Sequence, residues 1–411
     1  MRLFQKIPFT SRPTFKYDIN ASWLYGIQLG IIVMASVYAR KRLDASEAEV
    51  ALIVAAPSAG MLWSIYWGHL ASNRHKMPFF FWPAIIGRGL VILAAFTSNS
   101  LGFTIVMLVA YAISMLTAPI RAGVIRANYP DECRGLIEGR VRATLFLTGA
   151  IAAFFAGKFM DRRIENAHWL FAVAGAAGMA SAFVFSRIKV RREQWLDGHV
   201  PEPFTLRKTF GVLFSNPKFG VFQLLFSTSA FATHMARLVL ILFLTDVMKA
   251  NYTECAAALQ IVPRIFVVLT TLLAGVYIDR WNPLLIRGVF VLIGCASPLI
   301  IYFSKSMTTV YGAMVLWGIA LGGGGIVWSI GSMYFAPERK VPAYQGVHTS
   351  LTGVRGILGP VIGWWLYGLI GTKVLVLSSL IQVICGVALL IIGIREHNEE
   401  NGDEGETAVL P

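Results

Sequence analysis

The sequence predicts an all-α integral membrane protein with twelve transmembrane helices in two pseudo-symmetric six-helix bundles. Of its 411 residues, 56% are hydrophobic and only 14% are charged, whereas a soluble domain has about 25% charged residues. Many segments of about 20 residues carry few charges, which is long enough for a helix to cross a bilayer. Three landmarks also recur at one spacing in the two halves. A soluble fold is excluded, because its core would exceed what the polar residues can cover.

The repeated spacing is 207 positions. It relates the ends of two hydrophobic spans, the starts of two others, and two Pro-to-Gly segments. The pairs are Gly68 with Gly275, Ser46-Glu47 with Thr253-Glu254, and Pro130…Gly139 with Pro337…Gly346. One shift that aligns three landmarks indicates two copies of one folding unit. In a hydrophobic chain, two related halves are typical of transporters that bind a solute between repeats.

The predicted spans, in order along the chain, are 18–39, 47–70, 79–98, 101–124, 136–158, 168–187, 218–244, 254–278, 284–303, 308–334, 342–369 and 373–394. Ser46 and Thr253 are predicted N-caps, each followed by a Glu that suits the positive end of a helix. The spans divide into a bundle at 1–187, a cytoplasmic linker at 188–217 and a bundle at 218–395. Residues 396–411 are acidic and are expected to be disordered.

The basic residues predict the orientation of the chain in the membrane. With the N-terminus inside, and with several residues near the span ends counted in the adjoining loops, 20 of the 36 Lys and Arg fall in inner segments, 8 in outer segments and 8 within spans. This bias is the positive-inside pattern of a membrane protein. It predicts cytoplasmic termini, favours a bacterial inner membrane, and argues against nucleic acid as the partner of the net charge of +14. No cleavable signal peptide is expected, because the first apolar stretch is long enough to span.

The sequence predicts neither an enzyme nor a cofactor or metal site. The cysteines are Cys133, Cys255, Cys295 and Cys385, which form no CxxC pair and have no His at metal spacing. Neither HExxH nor GxSxG occurs. The expected partners are a small-molecule substrate and the lipid bilayer, and the chain is expected to be a monomer.

The two glycine-ended runs resemble the signature of the major facilitator superfamily, in which a Gly precedes an acid, an Arg and further basic residues between the second and third helices. The first copy retains Gly68, Leu70, Ala71, Arg74 and Lys76 but has Ser72 at the acid and His75 at the second glycine. The second copy retains Gly275 and Asp279-Arg280 and has Asn282 at the second glycine. The resemblance covers nearly the whole chain and implies two lobes that open alternately around a central cavity.

The resemblance also implies an inner gate. In the family, the signature acid contacts the positive N-terminus of a facing helix, and Asp279 is expected to do so at the fifth span. Ser72 can offer only a hydrogen bond at the eleventh span, so one side of the gate is expected to be held more weakly, unless Ser72 is simply tolerated. The gating candidates are Gly68, Ser72, Arg74, Gly275, Asp279, Arg280, Glu138, Arg140 and Arg142.

Basic residues within spans outnumber acids and favour an anionic solute. Arg237, Arg264 and Arg355 lie near mid-depth on spans seven, eight and eleven, and His234 shares a helix face with Arg237. Several guanidinium groups around one cavity suit a carboxylate or a phosphate. Each Arg can instead pair with a carbonyl or an acid, which is the interpretation favoured for Arg88.

Weaker candidates line the spans that the resemblance places at the cavity. They are Tyr25 and Gln28 on span one, Tyr111 on span four, and Trp328 beside a flexible run of four glycines on span ten. Packing explains each of these equally well. Asp18 is expected at the inner end of span one, where an acid costs little, and no acid is predicted at mid-depth.

The favoured function is transport of an organic anion or a phosphorylated metabolite. The alternatives are export of hydrophobic compounds or lipids, and a transporter-like receptor. Coupling to a proton through His234 or Glu138, anion exchange and uniport all stay open.

Overall fold

The computed structural model describes residues 7–71, 74–191, 206–277, 282–337 and 341–407. Within these ranges the chain is helical. The helices before the linker are α1 (Arg12–Ile32), α2 (Ala35–Arg42), α3 (Glu47–Leu70), α4 (Lys76–Leu90), α5 (Ser100–Met115), α6 (Thr117–Asn128), α7 (Asp131–Arg162) and α8 (Trp169–Ser186). The later helices are α9 (Leu206–Ser215), α10 (Pro217–Leu242), α11 (Tyr252–Ala256), α12 (Val262–Tyr277), α13 (Pro283–Phe303), α14 (Met307–Tyr334), α15 (Val341–Ile370) and α16 (Val374–Thr407).

The helices account for twelve passes through a membrane. Eleven stretches of the described residues are long and apolar enough to span, and the last of them, Tyr344–Glu396, has 53 residues. A continuous helix of that length would measure roughly 80 Å, more than twice the hydrocarbon thickness of about 30 Å. This stretch is broken by a 3₁₀ turn at Gly371–Lys373, where Gly371 has a φ of +59°. It therefore holds two passes, and the predicted all-α membrane fold with twelve helices is confirmed.

Of the two predicted N-caps, Ser46 is confirmed and Thr253 is wrong. Ser46 caps α3 as predicted, with its side chain accepting from the Glu49 N–H and the Glu49 carboxylate accepting from the Ser46 N–H. The prediction for Thr253 is wrong, because Asn251 caps α11 in a reciprocal pair with Glu254. Asn and Ser are similarly good caps, so the spacing alone did not distinguish the two positions.

Helices α1 and α7 approach closely at small residues. A Cβ added to Gly30 would lie 2.2 Å from the carbonyl oxygen of Gly149, and one added to Gly26 would lie 1.8 Å from Oγ1 of Thr148. Small residues allow such contacts between membrane helices, where packing rather than water exclusion drives association. The contact fixes the position of α1, which carries Tyr25 and Gln28.

The four glycines of α14 lie inside a continuous helix. A Cβ on Gly322 would lie 2.8 Å from Cβ of Thr270 on α12, and one on Gly323 would lie 2.2 Å from the ring of Phe290 on α13. Close packing therefore accounts for these two glycines, as one of the two sequence interpretations proposed.

Contacts divide the chain into two compact units. Unit 1 comprises Met1–Phe204, Ile241–Ile261 and Thr352–Val361, and unit 2 comprises Thr205–Leu240, Val262–Leu351 and Ile362–Pro411. In unit 1, one core cluster includes Phe80, Val124 and Phe185. In unit 2, one core cluster includes Phe222 and Val347.

Two segments differ from the expectation for the linker and the tail. Helix α9 (Leu206–Ser215) lies inside the predicted linker. Helix α16 continues to Thr407, so residues 396–407, which were expected to be disordered, are helical. Extending a formed helix adds one hydrogen bond per residue without a new nucleation cost, and Glu396 is held by Asn282 and Lys218.

Candidate functional site

Three predicted solute contacts lie around one small cavity in unit 1. Tyr25 and Gln28 from α1 face Tyr111 and Ser114 from α5, and the cavity volume is about 10 Å³. A single water needs a cavity of roughly this size. The structure therefore brings residues of α1 and α5 together around a space of about the size of one water molecule, which Leu29, Ile32, Val91 and Ala110 also line.

Gln28 is buried beside this cavity. It is 2% exposed, and its Oε1 has no hydrogen-bond partner among the described residues. A Cβ on Gly178 of α8 would lie 2.2 Å from this oxygen. Only glycine at position 178 leaves room for the amide.

Arg88 packs against Tyr25, one of the residues that line the cavity. Its Cζ lies 4.1 Å from the ring centre of Tyr25, and its Nη1 donates to Oγ of Ser181 at 3.1 Å and to the Gly178 carbonyl at 3.4 Å. Ser181 in turn donates to the carbonyl of Ala21 at 2.7 Å. Arg88 thus pairs with neutral groups, including a backbone carbonyl, and holds the ring of Tyr25.

Two of the three predicted solute-binding arginines lie together in unit 2. Arg237 on α10 and Arg264 on α12 are close enough for their positive charges to repel. Arg237 is exposed, and Arg264 and His234 are half-buried. Arg355 belongs to unit 1, is 5% exposed and donates to Oγ1 of Thr352 at 2.8 Å.

Trp328 packs in the core of unit 2. Its ring centre lies 5.7 Å from that of His348, and the His348 ring lies 4.9 Å from that of Phe226. His348 is fully buried, and its Nδ1 lies 3.0 Å from Oε1 of Gln223. This environment matches the packing interpretation of Trp328.

The sequence analysis missed Arg287, a half-buried cation that packs in the core of unit 2. Its Cζ lies 4.0 Å from the ring centre of Phe226, and its Nη2 donates to Oγ of Ser229 at 3.1 Å. A Cβ on Gly324 would lie 2.6 Å from its Nη1, so this third glycine of the α14 run makes room for the guanidinium. Arg287 lies near the start of α13, where the charge pattern assigns it to the inner loop. Its position inside the predicted span 284–303 is the signal that could have identified it, because a basic residue within a span usually faces the interior of the bundle.

Asp18 is also buried, contrary to the expectation of an inexpensive acid at a helix end. It is 1% exposed, Oδ1 accepts from Arg121 at 3.1 Å, and Oδ2 accepts from the Tyr129 hydroxyl at 3.1 Å. Tyr129 lies between candidate spans, and burial followed by the neighbouring Asp18 carboxylate raises the pKa of its hydroxyl. The hydroxyl therefore stays protonated and donates at neutral pH.

Glu138 shares Arg121 with Asp18. Its Oε1 lies 3.3 Å from Nη2 of Arg121, and its Oε2 lies 3.4 Å from Nε of Arg142. Arg142 is exposed and Arg140, on the same helix, is half-buried. The predicted cluster of charges on α7 is thus tied to α1 through Asp18.

The predicted inner gate falls partly outside the described residues. Ser72, Asp279 and Arg280 are not among them, so the contact of Asp279 with the fifth span stays a prediction. A Cβ on Gly68 would lie 3.2 Å from Cβ of Pro119, which marks a close approach of α3 and α6. Arg74 is exposed, with Cζ 5.9 Å from the ring centre of Phe79. Gly275 lies in α12.

At the C-terminal end of α7, the carboxylate of Asp161 contacts the N-terminus of α11. Asp161 Oδ1 accepts from the N–H of Tyr252 at 2.7 Å, and Oδ2 accepts from the N–H and Oγ1 of Thr253 at 2.9 and 2.6 Å. A Cβ on Gly157 would lie 2.9 Å from Cα of Thr253. The resemblance implied a carboxylate-to-helix contact of this kind between Asp279 and the start of the fifth span, which is α7. The observed contact instead joins Asp161, at the C-terminal end of α7, to the N-terminus of α11.

A second contact joins the same regions. The Arg40 guanidinium contacts both carboxylate oxygens of Asp246, with Nη2 2.6 Å from Oδ2. Lys41 donates to the Ala250 carbonyl at 2.6 Å and lies 4.5 Å from the ring centre of Tyr252. We call these contacts and those of Asp161 the interhalf joint, because each links residues 40–161 to residues 246–253.

The four cysteines are thiols and form no disulfide among themselves. Cys133, Cys255 and Cys385 are buried and Cys295 is half-buried. In the described part of the chain, no group of three or more His, Cys, Asp or Glu side chains is placed to hold a metal ion. Cys255 lies in α11 beside the interhalf joint.

Solved structures share this fold over nearly the whole chain. A mutant of the nucleoside transporter NupG has a TM-score of 0.72 at 14% identity, over 92% of this chain and 99% of that one. A bacterial homologue of the human lysosomal transporter Spinster, inward-facing and occupied, has a TM-score of 0.68 at 16% identity, over 95% and 98%. The human organic anion transporter MFSD10 has a TM-score of 0.66 at 12% identity, over 92% and 99%. At these identities the similarity establishes the fold.

The sequence comparisons differ in extent. Heme A synthase of Dinoroseobacter shibae is 38% identical over 72 residues, which is 17% of this chain and 19% of that protein. Such a short match carries no function to this chain. The family model of the Major Facilitator Superfamily matches residues 20–360. Because that match takes in most of a twelve-pass helical chain with transporter folds as its structural neighbours, the protein belongs to the Major Facilitator Superfamily and is an integral membrane transporter of small solutes.

Proposed function

We propose that this transporter carries a small organic anion or a phosphorylated metabolite. The observation that carries the proposal is the proximity of Arg237 and Arg264 on two spans of unit 2. A single Arg at the bilayer centre costs about 2.5–3.5 kcal/mol on insertion scales, and mutual repulsion adds to that cost. A carboxylate or phosphate that contacts both guanidinium groups reduces the repulsion between them. His234 and Trp328, which also belong to unit 2, are proposed as further contacts, and the role of Arg355 stays a prediction.

Binding of anions to the purified protein tests this proposal. Organic anions should raise the melting temperature, whereas sugars, amino acids and amphiphiles should not. Arg237→Ala and Arg264→Ala should each weaken anion binding about 10- to 100-fold, as expected for loss of a charged hydrogen bond. Arg187→Ala is the control, because Arg187 is exposed and lies over the Phe183 ring. Equal stabilisation by every solute class would contradict the proposal.

We further propose alternating access as the mechanism, with the interhalf joint as one of its gates. The joint supports this because its ion pair and helix-end contacts are made at exposed or half-buried side chains. Exposed pairs contribute little, roughly 0.2–1 kcal/mol each, so a few can break and reform during a transport cycle.

Export of hydrophobic compounds or lipids is the second candidate. An apolar groove of about 480 Å³ in unit 1 favours it, and its lining includes Trp23, Ile27, Ile151 and Phe155. Uptake into reconstituted vesicles separates the candidates. Transport of a hydrophobic compound that survives Arg264→Ala supports the second, and selective binding of a solute without flux indicates a transporter-like receptor.

We place the protein in a bacterial inner membrane with both termini in the cytoplasm. The excess of Lys and Arg in the predicted inner segments supports this orientation.

A further inference from the structure

We infer that the apolar groove of unit 1 binds one anionic phospholipid of the surrounding bilayer, with an acyl chain along the groove and the phosphate at Arg162. The groove has a volume of about 480 Å³, and its lining comes from three helices. Helix α1 contributes Trp23, Ile27 and Ile31, α7 contributes residues from Thr148 to Phe159, and α8 contributes Leu170. The inference does not depend on which solute is carried, because this lipid stays in the bilayer.

The open side of the groove is apolar and exposed. Phe155 is 63% exposed and Ile151 is 45% exposed, and both lie in the candidate span Cys133–Arg162. The hydroxyl of Thr148 in the lining donates to the Thr144 carbonyl at 2.9 Å. Exposed apolar patches of this kind mark surfaces that meet a membrane or another protein. Because the lining offers few hydrogen-bonding groups, a hydrocarbon chain is the occupant that its chemistry favours.

The length of the groove matches one leaflet of a bilayer. Its α7 residues run from Thr148 to Phe159, which is a rise of roughly 16 Å at about 1.5 Å per residue. Half of the hydrocarbon core of a bilayer measures about 15 Å. Because one leaflet is one acyl chain deep, the groove has the length of such a chain.

The end of the groove near Phe159 lies at the level of the lipid headgroups. Helix α7 ends at Arg162, and α8 begins at Trp169. Trp169 is exposed, and its ring centre lies 5.7 Å from that of Phe96 in an edge-on contact. Tryptophans are enriched where a membrane meets water, so these helix ends mark the membrane surface. The phosphate of a lipid whose chain lies in the groove is therefore placed beside Arg162.

Two exposed cations at this end favour an anionic lipid. Arg162 follows Phe155 by seven positions and Phe159 by three, which places it on the face of α7 that lines the groove. Its side chain makes no hydrogen bond or ion pair with the residues that the structure describes. Lys158 is the second cation, with Nζ 4.7 Å from the ring centre of Phe154.

The acids at this end do not neutralise both cations. The Asp161 carboxylate is directed at α11, where it accepts from the N–H groups of Tyr252 and Thr253. Glu165 and Arg163 are both exposed, and their opposite charges offset each other. The positive charge that is left suits a phosphate, which a guanidinium group binds with two parallel hydrogen bonds.

Photolabelling of the protein in phosphatidylcholine vesicles tests the inference. The probes are traces of phosphatidylglycerol and of phosphatidylcholine, each with a diazirine on its acyl chain. Peptide mapping gives the labelling of residues 151–159 relative to Leu380 and Ile384, which are exposed apolar residues of α16. This ratio should be about fivefold higher for phosphatidylglycerol, the factor expected from one cation at a membrane surface.

Arg162→Gln should lower the phosphatidylglycerol ratio to that of phosphatidylcholine. Arg187→Gln is the matched control and should leave the ratio unchanged, because Arg187 is also exposed but follows the opposite end of α8. Equal ratios for the two probes in the unmutated protein overturn the inference, as does a phosphatidylglycerol ratio that Arg162→Gln leaves unchanged. Labelling of residues 151–159 below that of α16 overturns it as well, since another protein then covers the groove.

Discussion

At the residue scale, the buried carboxylate of Asp18 accepts hydrogen bonds from two donors that lie far from it in the sequence. A buried carboxylate is costly unless its oxygens are satisfied, and here Arg121 and Tyr129 satisfy one oxygen each. These partners lie 103 and 111 positions away. No local pattern in the sequence indicates these partners, because contacts over such separations depend on how the helices pack.

Replacing Asp18→Asn should destabilise the protein strongly. The change leaves the Arg121 guanidinium with Glu138 as its remaining acid, and breaking a buried ion pair costs about 3–5 kcal/mol. The melting temperature of the detergent-purified variant measures the loss. Glu138→Gln is the comparison and should cost less, because the Glu138 side chain is 17% exposed whereas that of Asp18 is 1% exposed. Equal losses would mean that burial does not determine the strength of this cluster.

At the element scale, the contact between α7 and α11 is made by the ends of the two helices. The start of α11 is capped by Asn251, and the N–H groups of Tyr252 and Thr253 donate to the carboxylate of Asp161. The first N–H groups of a helix have no partner within it and attract a carboxylate. The end of α7 supplies that carboxylate, so two helix termini form the contact.

Asp161→Asn should loosen this part of the interhalf joint. The amide keeps one acceptor oxygen but loses the charge that favours a helix N-terminus, a contribution of about 0.3–1 kcal/mol at an exposed site. Cys255 is fully buried in α11, so its reaction with a thiol reagent should speed up when the joint opens.

The measurement uses a chain in which Cys255 is the remaining cysteine. Arg40→Gln should also speed the reaction, because it removes the ion pair with Asp246. A second chain that retains only Cys385, which is buried in α16, should react at the same rate with and without Asp161→Asn. If Cys255 reacts no faster in either variant, the joint is not a gate.

The two compact units describe the molecule at the largest scale. Residues 241–261 and 352–361 come from the second predicted bundle but group by contact with unit 1. The chain is therefore divided differently by contact than by sequence repeat. The noncovalent contacts of the interhalf joint lie within unit 1.

A chain split in the linker should still assemble. Residues 1–195 and 196–411, coexpressed in one membrane, should copurify through a tag on either fragment, because Asp161, Arg40 and Lys41 bind residues 246–253 without help from the peptide bond. Introducing Arg40→Gln and Asp161→Asn together should reduce the yield of the second fragment. If the two unmutated fragments do not copurify, the linker is needed to hold these contacts.

The sequence by itself determined the membrane fold, the twelve spans, the family and the cap at Ser46. These features depend on the hydropathy of continuous segments and on side chains a few residues apart, so they can be found along the chain. The cap at Asn251 rather than Thr253 shows the limit of that information even over two residues.

Only the tertiary structure decided which polar residues meet. The burial of Asp18, the position of Arg287 among Phe226, Ser229 and Gly324, and the contacts of Asp161 all arise where helices from distant parts of the chain pack together. A hydrophobic span buries several faces, and its composition does not specify which face meets which neighbour. Those pairings depend on the closest approach between backbones, which glycines such as Gly178 and Gly324 permit and which no local pattern encodes.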